Sequence, residues 1–372
     1  MQKIKEIFLV SPFLVFFLVH SEQIGVGVLG YQRVIAKFAG YDSWLSVIIA
    51  AIFVHILIWM IYYVLDNGGG DIVTIHKTLF GGMLGNIFNL ALVLYFLLWS
   101  ITVLRTYIEV VQVWMFPTLK TWTIAVVFLI LTYYVVSAGF RTVAGVCFLG
   151  VVIPLGLILL LIYPLEYTHF SNLLPVFDER MKDYFTASKN MMLSYLGFET
   201  LLVFYPYIKN AKKSQKFAHH ANIFSFMMYL LVTLFSFAFF SQEQLARNIW
   251  ATLSMVKIVQ VSFVERFDFV FVSMWCLVIL PNIALAIWCS SRVAKLMLNI
   301  RQHVTLIVLL CIVLLACIFL DTRFKINMLN NYTNIIGFYL AISYIPFLFV
   351  MTFIKKKIKQ KRTNNGQTSS ST

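Results

Sequence analysis

A chain of 372 residues that is 61% hydrophobic and only 12% charged is not a soluble domain, because soluble chains carry about a quarter charged residues. The formal net charge of +14 does not call for a nucleic-acid partner, since lysine and arginine accumulate in the cytoplasmic loops of membrane proteins. Apolar runs long enough for membrane helices recur along the whole chain. The sequence therefore predicts an all-α, polytopic membrane protein that binds no nucleic acid.

Ten apolar segments are predicted to cross the membrane. The number of spans is even, so both termini lie on the same side of the membrane. The loops on that side contain more lysine and arginine than the loops on the other, which predicts that both termini are cytoplasmic. Residues 1–360 form the predicted transmembrane domain, and the polar segment 361–372 is predicted to be a disordered cytoplasmic tail. In chain order the predicted spans are 7–32, 43–65, 82–110, 121–139, 143–163, 185–208, 221–241, 267–294, 303–320 and 333–354.

Two segments between the predicted spans have a different character. Residues 67–80 contain three consecutive glycines, residues 68–70, and predict a flexible turn followed by a short helix on the inner surface. Residues 242–265 mix charged side chains with regularly spaced apolar ones, which is typical of an amphipathic helix at the outer membrane interface.

The first span is interrupted near its middle by Glu22 and by three glycines, Gly25, Gly27 and Gly30. A backbone in hydrocarbon must satisfy its own hydrogen bonds, so such an interruption survives only where it lines a protected cavity. We predict that the helix breaks here and that Gly25 and Gly27 let a ligand approach main-chain N–H groups. The alternative use of these glycines is close packing of helices through small residues.

A second interruption, with Gly197 and Glu199, lies in the sixth span. A shift of about 173 residues brings the first interruption onto the second, and such paired interruptions indicate an inverted-repeat transporter with its site at the midplane. The sequence thus predicts a 5+5 inverted repeat in which residues 7–163 and 185–354 correspond, with discontinuous helices 1 and 6.

Glu22 and Glu199 are the most costly residues in these spans, because an ionisable group inside a membrane needs a partner or a function. Each can contact a cationic ligand group, bind a proton, or tie the broken backbone together as a purely structural bond. His20 can pair with Glu22 or be a satisfied interior histidine. Tyr195 and Phe198, beside the second break, can cover a ligand or belong to the core.

In the third span Arg105 and Glu109 are four residues apart and can form a structural pair on one helix face. Thr102 and Arg105 are the residues of this span that can face the cavity. No histidine, cysteine and carboxylate set has metal-ligand spacing, and no nucleophile–base pair can be assembled, so neither a metal, a cofactor nor an enzyme is predicted.

The run from Ile24 to Gly30 resembles the I-G-x-G signature of the amino acid–polyamine–organocation transporters. A wider set of motifs is similar to the endospore germination permeases, the B-type subunits of spore germinant receptors. Those motifs are Gly25 through Arg33, Gly40-Tyr41-Asp42, Asn172-Leu173-Leu174-Pro175, Tyr195-x-Gly197-x-Glu199 and Glu265-Arg266-Phe267.

The resemblance implies a LeuT-like fold and a site for a small nutrient germinant, such as an amino acid, that triggers germination. It also implies assembly with A-type and C-type receptor subunits in the spore inner membrane. One departure concerns the fifth span, 143–163: its residues 145–163 include no lysine, whereas some proton-coupled relatives carry one there. Carried over by position, the implied ligand contacts are Gly25, Val26, Gly27, Thr102, Arg105, Tyr195, Gly197, Phe198 and Glu199.

Two other functions remain open from the sequence. One is a stand-alone secondary transporter of amino acids or organic cations. The other is a membrane scaffold that binds nothing.

Overall fold

The computed structural model describes residues 4–259 and 266–368, and its regular structure is almost entirely helical. Fifteen α-helices lie in these residues. They are α1 Leu14–Gln23, α2 Gln32–Ala39, α3 Trp44–Gly68, α4 Ile72–Trp114, α5 Thr121–Ser137, α6 Phe140–Val152, α7 Met181–Tyr195, α8 Leu201–Phe204, α9 Gln215–Phe239, α10 Gln242–Arg247, α11 Ala251–Val256, α12 Phe267–Leu298, α13 Gln302–Phe319, α14 Arg323–Tyr339 and α15 Ile345–Thr368.

Seven helical stretches within the described residues are long and apolar enough to cross a membrane, and α5 is a shorter apolar helix. The predicted first and sixth spans are each divided into shorter pieces, so they are not among the seven. This arrangement is consistent with ten spans, although that number stays a prediction. The seven are Gln32–Gly68, Ile72–Trp114, Phe140–Tyr167, Ala211–Phe239, Phe267–Leu298, Gln302–Phe319 and Arg323–Lys361.

Both predicted helix breaks are present. After α1 the chain is extended at Ile24 and Gly25 and then forms a short 3-10 helix, Val26–Leu29. After α7 it is extended at Leu196, and Gly197 has a φ of 110°, which an L side chain rarely adopts. The first and sixth helices are therefore discontinuous, as the charged and glycine-rich segments predicted.

The centre of the bundle is formed by α4 and α12, whose apolar segments are two-thirds buried. Outer helices expose large apolar side chains such as Ile130, Leu159 and Phe319, as expected for surfaces that face lipid. α1 packs between α6 and α9 and also contacts α12. The two breaks consequently lie inside the bundle.

Three connecting segments can be compared with their predictions. Residues 72–80 form the first part of α4, which is separated from the rest by a non-helical Gly81 with φ 80°, in agreement with the predicted short helix. The described part of segment 242–265 is two short helices, α10 and α11, and not one amphipathic helix. Its apolar residues Leu245 and Leu253 are buried against the protein, so they do not face lipid. Residues 260–265 lie outside the described residues.

The last helix, α15, continues to Thr368, whereas disorder was predicted from residue 361. Lysine, glutamine and arginine are good helix formers, and the run from Lys355 to Arg362 contains no residue that stops the helix begun in the membrane segment. Residues 369–372 of the predicted tail lie outside the described residues.

Candidate ligand-binding site

A cavity of about 370 Å³ lies beside the first helix break. Its deep end is lined by Glu22, Gln23, Gly25 and Asn282, and Ser194 from the end of α7 also reaches it. Its volume lies within the range of small-molecule sites in proteins, about 300–1,000 Å³.

The other end of the cavity is covered by the connection between α10 and α11. Ile249 and Trp250 line it, and the Arg323 guanidinium lies 5.6 Å from the centre of the Trp250 ring. A Cβ at Gly30 would fall 2.1 Å from the Ile249 carbonyl oxygen, so only glycine permits this approach. The connection is thus packed directly on the segment that follows the first break.

Asn282 of α12 satisfies carbonyl groups that the first break leaves without helical partners. Its Nδ2 donates to the carbonyl oxygens of Ser21, at 2.6 Å, and Ile24, at 3.2 Å. Its Oδ1 lies 2.8 Å from the position that a Cβ on Gly25 would occupy. Gly25 is therefore required for the close approach of Asn282.

Tyr229 of α9 joins the two breaks. Its hydroxyl oxygen lies 2.7 Å from the carbonyl oxygen of Gln23 and 2.9 Å from that of Ser194, so its single O–H proton is shared between these two acceptors. These carbonyls belong to the last turns of α1 and α7, where no further helical N–H follows to bind them. One side chain therefore stabilises the end of both interrupted helices.

The N–H groups of Gly25, Val26 and Gly27 donate to no protein acceptor among the described residues. All three residues line the cavity. Free amides at the start of a helical turn are donors for an electronegative ligand group.

Glu22 is almost completely buried, with 1% of its surface exposed. Its Oε2 accepts a hydrogen bond from Trp99 Nε1 at 3.1 Å, and its Oε1 has no partner within the described part of the chain. A Cβ on Gly197 would lie 2.5 Å from the Glu22 Cβ, so the second break is packed against this residue. Glu22 is thus held between the breaks with one oxygen unused.

Glu199 has a different environment, although it is the corresponding acid of the second break. Tyr95 donates its hydroxyl to Oε1, and the Gly197 N–H donates to Oε2 at 2.8 Å. Both oxygens are occupied and the side chain does not line the cavity. This is the structural alternative, in which the acid ties the broken backbone together.

The other residues predicted on the sixth helix also lie outside the cavity lining, contrary to the expectation. Tyr195 and Phe198 are fully buried, and the Tyr195 ring packs 5.2 Å from that of Tyr229. Gly197 contacts Glu22 instead of open space. The chain turns at Leu196 and Gly197, and it is Ser194, before this turn, that reaches the cavity.

On the third span, Thr102 lines the cavity and its hydroxyl is 2.7 Å from that of Thr333. Arg105 does not line it. Its guanidinium, 2% exposed, donates to the carbonyl oxygens of Leu320 and Asp321 in the connection before α14. Arg105 is therefore a structural residue.

Two local pairs that the sequence allowed are absent, and their members contact distant segments; for His20 this is the alternative of a satisfied interior histidine. Glu109 accepts from Arg323 at 2.5 Å instead of pairing with Arg105. His20 Nδ1 lies 2.8 Å from the Ser225 hydroxyl and does not bond Glu22. In residues 4–259 and 266–368, no group of three or more potential metal ligands occurs.

The sequence reasoning missed Asn282, Gln23, Tyr229 and one face of α14. Four asparagines of α14 line the cavity, and their spacing of three and four residues places them on one helix face. That spacing, just before and at the start of the predicted span 333–354, was a readable signal of a polar helix face. They are Asn327, Asn330, Asn331 and Asn334.

Comparison with known proteins gives the context of this site. A family model described as "Spore germination protein" matches residues 9–326. The chain is 44% identical over 351 residues to "Spore germination protein GerQB" of Bacillus cereus, covering 94% of this chain and 98% of that protein. It is 24% identical over 257 residues to "Spore germination protein B2" of Bacillus subtilis (strain 168), covering 68% and 69%.

Among solved structures, the chain is similar to MhsT, which was crystallised in complex with L-phenylalanine. The TM-score is 0.60 at 11% sequence identity, with 93% of this chain and 98% of MhsT covered. At this identity the likeness shows the fold, and it confirms the predicted LeuT-like class.

Proposed function

The chain belongs to the spore germination protein family, and from this membership we propose that it is the permease-like subunit of a spore germinant receptor. In this role it binds a small nutrient germinant, an amino acid or a molecule of similar size, and the binding triggers germination. The LeuT-like fold supports this role, because its interrupted helices provide unpaired backbone groups inside the membrane.

The observation that carries the proposal is the cavity beside the first break. It combines unused N–H groups at Gly25, Val26 and Gly27 with an unused carboxylate oxygen of Glu22. Buried polar groups in native proteins are nearly always hydrogen-bonded, so several unpaired groups around one cavity indicate that a ligand binds there.

Binding acts on the arrangement of the two breaks. A ligand shifts a conformational equilibrium only by the difference between its affinities for the two states. Glu22 contacts the ligand on one side and Gly197 on the other, so a change at the first break is transmitted directly to the second.

The proposed partners are an A-type and a C-type receptor subunit, and the proposed location is the spore inner membrane, with both termini in the cytoplasm. The printed names of the curated relatives, all spore germination proteins, support a role in germination. The basic C-terminal part of α15 supports a cytoplasmic C-terminus.

The test is a glycine substitution that adds one methyl group to the cavity. A Cβ at Gly27 meets only Ser194, at ordinary contact distances of 3.5 Å or more, so Gly27→Ala folds while narrowing the site. The matched control is Gly145→Ala in α6, where a Cβ has no neighbour within 4 Å. Spores carrying each variant are exposed to a nutrient panel, and germination is followed by the loss of optical density.

We expect Gly27→Ala to need a higher germinant concentration, or to stop responding, while its amount in the spore membrane equals that of the control. An unchanged dose response in Gly27→Ala contradicts the proposed site. Solute uptake into liposomes by the purified chain without partners would instead indicate a stand-alone transporter, which the family membership does not favour.

A further inference from the structure

Three residues that line the deep end of the cavity each have a buried side-chain oxygen with no hydrogen-bond partner in the part of the chain described. These oxygens are Glu22 Oε1, Gln23 Oε1 and Asn282 Oδ1. All three residues are at most 1% exposed. Leaving a buried acceptor unpaired is unfavourable, and more so when it is charged.

The hydrogen bonds on the other atoms fix which way these groups point. The amide nitrogen of Asn282 is engaged by the carbonyls of Ser21 and Ile24. The amide nitrogen of Gln23 donates to Asn222 Oδ1 at 2.9 Å. Since each amide must use its nitrogen for the protein, each has only its oxygen left for the cavity.

Glu22 is oriented in the same manner by Trp99, which donates to Oε2 and leaves Oε1 free. Arg323, which also lines the cavity, bonds Glu109 of α4 through its guanidinium group. Glu109 is ten residues further along this helix than Trp99. This spacing corresponds to about 15 Å along a helix axis. Arg323 therefore does not pair with the free Oε1 of Glu22.

We propose that the deep end of the cavity recognises a ligand group that donates several hydrogen bonds, and that Glu22, Gln23 and Asn282 are its acceptors. This inference rests on the proposed germinant site and defines the chemistry of its ligand. A primary ammonium group has three donors, and adjacent hydroxyl groups supply the same pattern without a charge. A carboxylate or phosphate would be repelled by these three acceptors and would instead meet the free N–H groups of Gly25, Val26 and Gly27.

A substitution of Glu22 can replace one of the three acceptors with a hydrogen-bond donor. In Glu22→Gln the Trp99 N–H continues to bond the side-chain oxygen, so the new amide nitrogen replaces Oε1 and presents a donor to the cavity. The matched control is Glu199→Gln, another buried acid, whose two oxygens are used by Tyr95 and Gly197 outside the cavity. It changes the second break and leaves the three acceptors in place.

The experiment measures affinity by ligand-induced thermal stabilisation of the full chain in lipid nanodiscs. The probes are pairs of compounds in which methylation removes donors and adds methyl groups: amino acids with their N,N,N-trimethyl derivatives, and pentoses with their O-methyl derivatives. In the wild type and in Glu199→Gln, methylation is expected to weaken binding by about ten- to a hundredfold. In Glu22→Gln this penalty should become clearly smaller.

Loss of affinity only in the amine pairs identifies an ammonium group, and loss only in the pentose pairs identifies hydroxyls; either result supports the inference. If methylated and unmethylated compounds bind the wild type equally well, the oxygens are satisfied by water and the inference is wrong, while the germinant site stands. If no compound stabilises the wild type, the proposed function fails and the inference fails with it.

Discussion

The contact between the two helix breaks gives the sharpest prediction, the effect of Gly197→Ala. Gly197 has a φ of 110°, and an L side chain in such a conformation costs about 1–3 kcal/mol. The added Cβ would also lie 2.5 Å from the Glu22 Cβ and 3.0 Å from its carbonyl oxygen, and relieving such overpacking costs a further 1–3 kcal/mol, roughly. We therefore expect a total loss of about 2–6 kcal/mol.

Gly139 provides a control that separates these two terms. It has a φ of 103°, but a Cβ there has no neighbour within 4 Å. Gly139→Ala should therefore lose only the backbone contribution, about 1–3 kcal/mol. Both variants are unfolded thermally in nanodiscs, and spores carrying them are tested for nutrient response.

The two results needed are a lower unfolding temperature for Gly197→Ala than for Gly139→Ala, and loss of the germination response in Gly197→Ala alone. Equal unfolding temperatures and equal responses would refute the reasoning, because they would mean that the contact between Gly197 and Glu22 contributes nothing beyond backbone conformation.

Three further predictions each follow from the hydrogen bonds of one side chain. Arg105→Gln should lower stability by about 2–4 kcal/mol, since the carbonyls of the connection before α14 lose their donor, yet it should leave ligand preference unchanged in the thermal-shift panel. Tyr229→Phe should lower stability by about 1–3 kcal/mol, because two carbonyl oxygens lose their donor. The loss should exceed that of Tyr107→Phe, since the Tyr107 hydroxyl donates to one carbonyl, that of Val272, at 2.8 Å. An equal loss of stability would contradict the bridging role of Tyr229. The Lys209 ammonium lies 2.7 Å from the Glu6 carboxylate and lowers the pKa of that carboxyl group. The ion pair therefore persists at neutral pH and is lost as the pH falls through the lowered pKa. Lys209→Met should raise the Glu6 pKa in an NMR titration, and an unchanged value would refute the pairing.

The class of the fold and the positions of both breaks could be predicted because they depend on local properties. A run of apolar residues has the length of a membrane span whatever surrounds it, and an acid beside glycines cannot continue as plain helix in hydrocarbon. The same reasoning identified Glu22, Gly25 and Gly27, which line the cavity.

The sixth-helix residues could not be placed in this way, because their orientation depends on how the chain turns at Leu196 and Gly197. The carboxylate of Glu199 is turned toward the N–H of Gly197 and the hydroxyl of Tyr95, and nothing in the local pattern indicates these contacts. Arg105 illustrates the same limit: its partners are more than 200 residues away in the chain.

The asparagines of α14 are a different case. Asn327, Asn331 and Asn334 follow helical spacing, so a search for polar helix faces that includes the residues before the predicted span 333–354 would have found this wall of the cavity. Asn282 carries no such pattern, since it is a single amide in an apolar helix, and its role is visible only from the carbonyls that it binds.

The Tyr229 hydroxyl has a consequence for how the molecule switches. It serves one carbonyl from each half of the chain, that of Gln23 in the first half and that of Ser194 in the second. Moving the two halves of the chain apart leaves at least one of these carbonyl oxygens without its donor, and a partly separated arrangement forms no new bond to compensate. We therefore expect the two halves to change conformation together in a single step. Such an all-or-none change is suited to germination, in which a dormant cell resumes growth once.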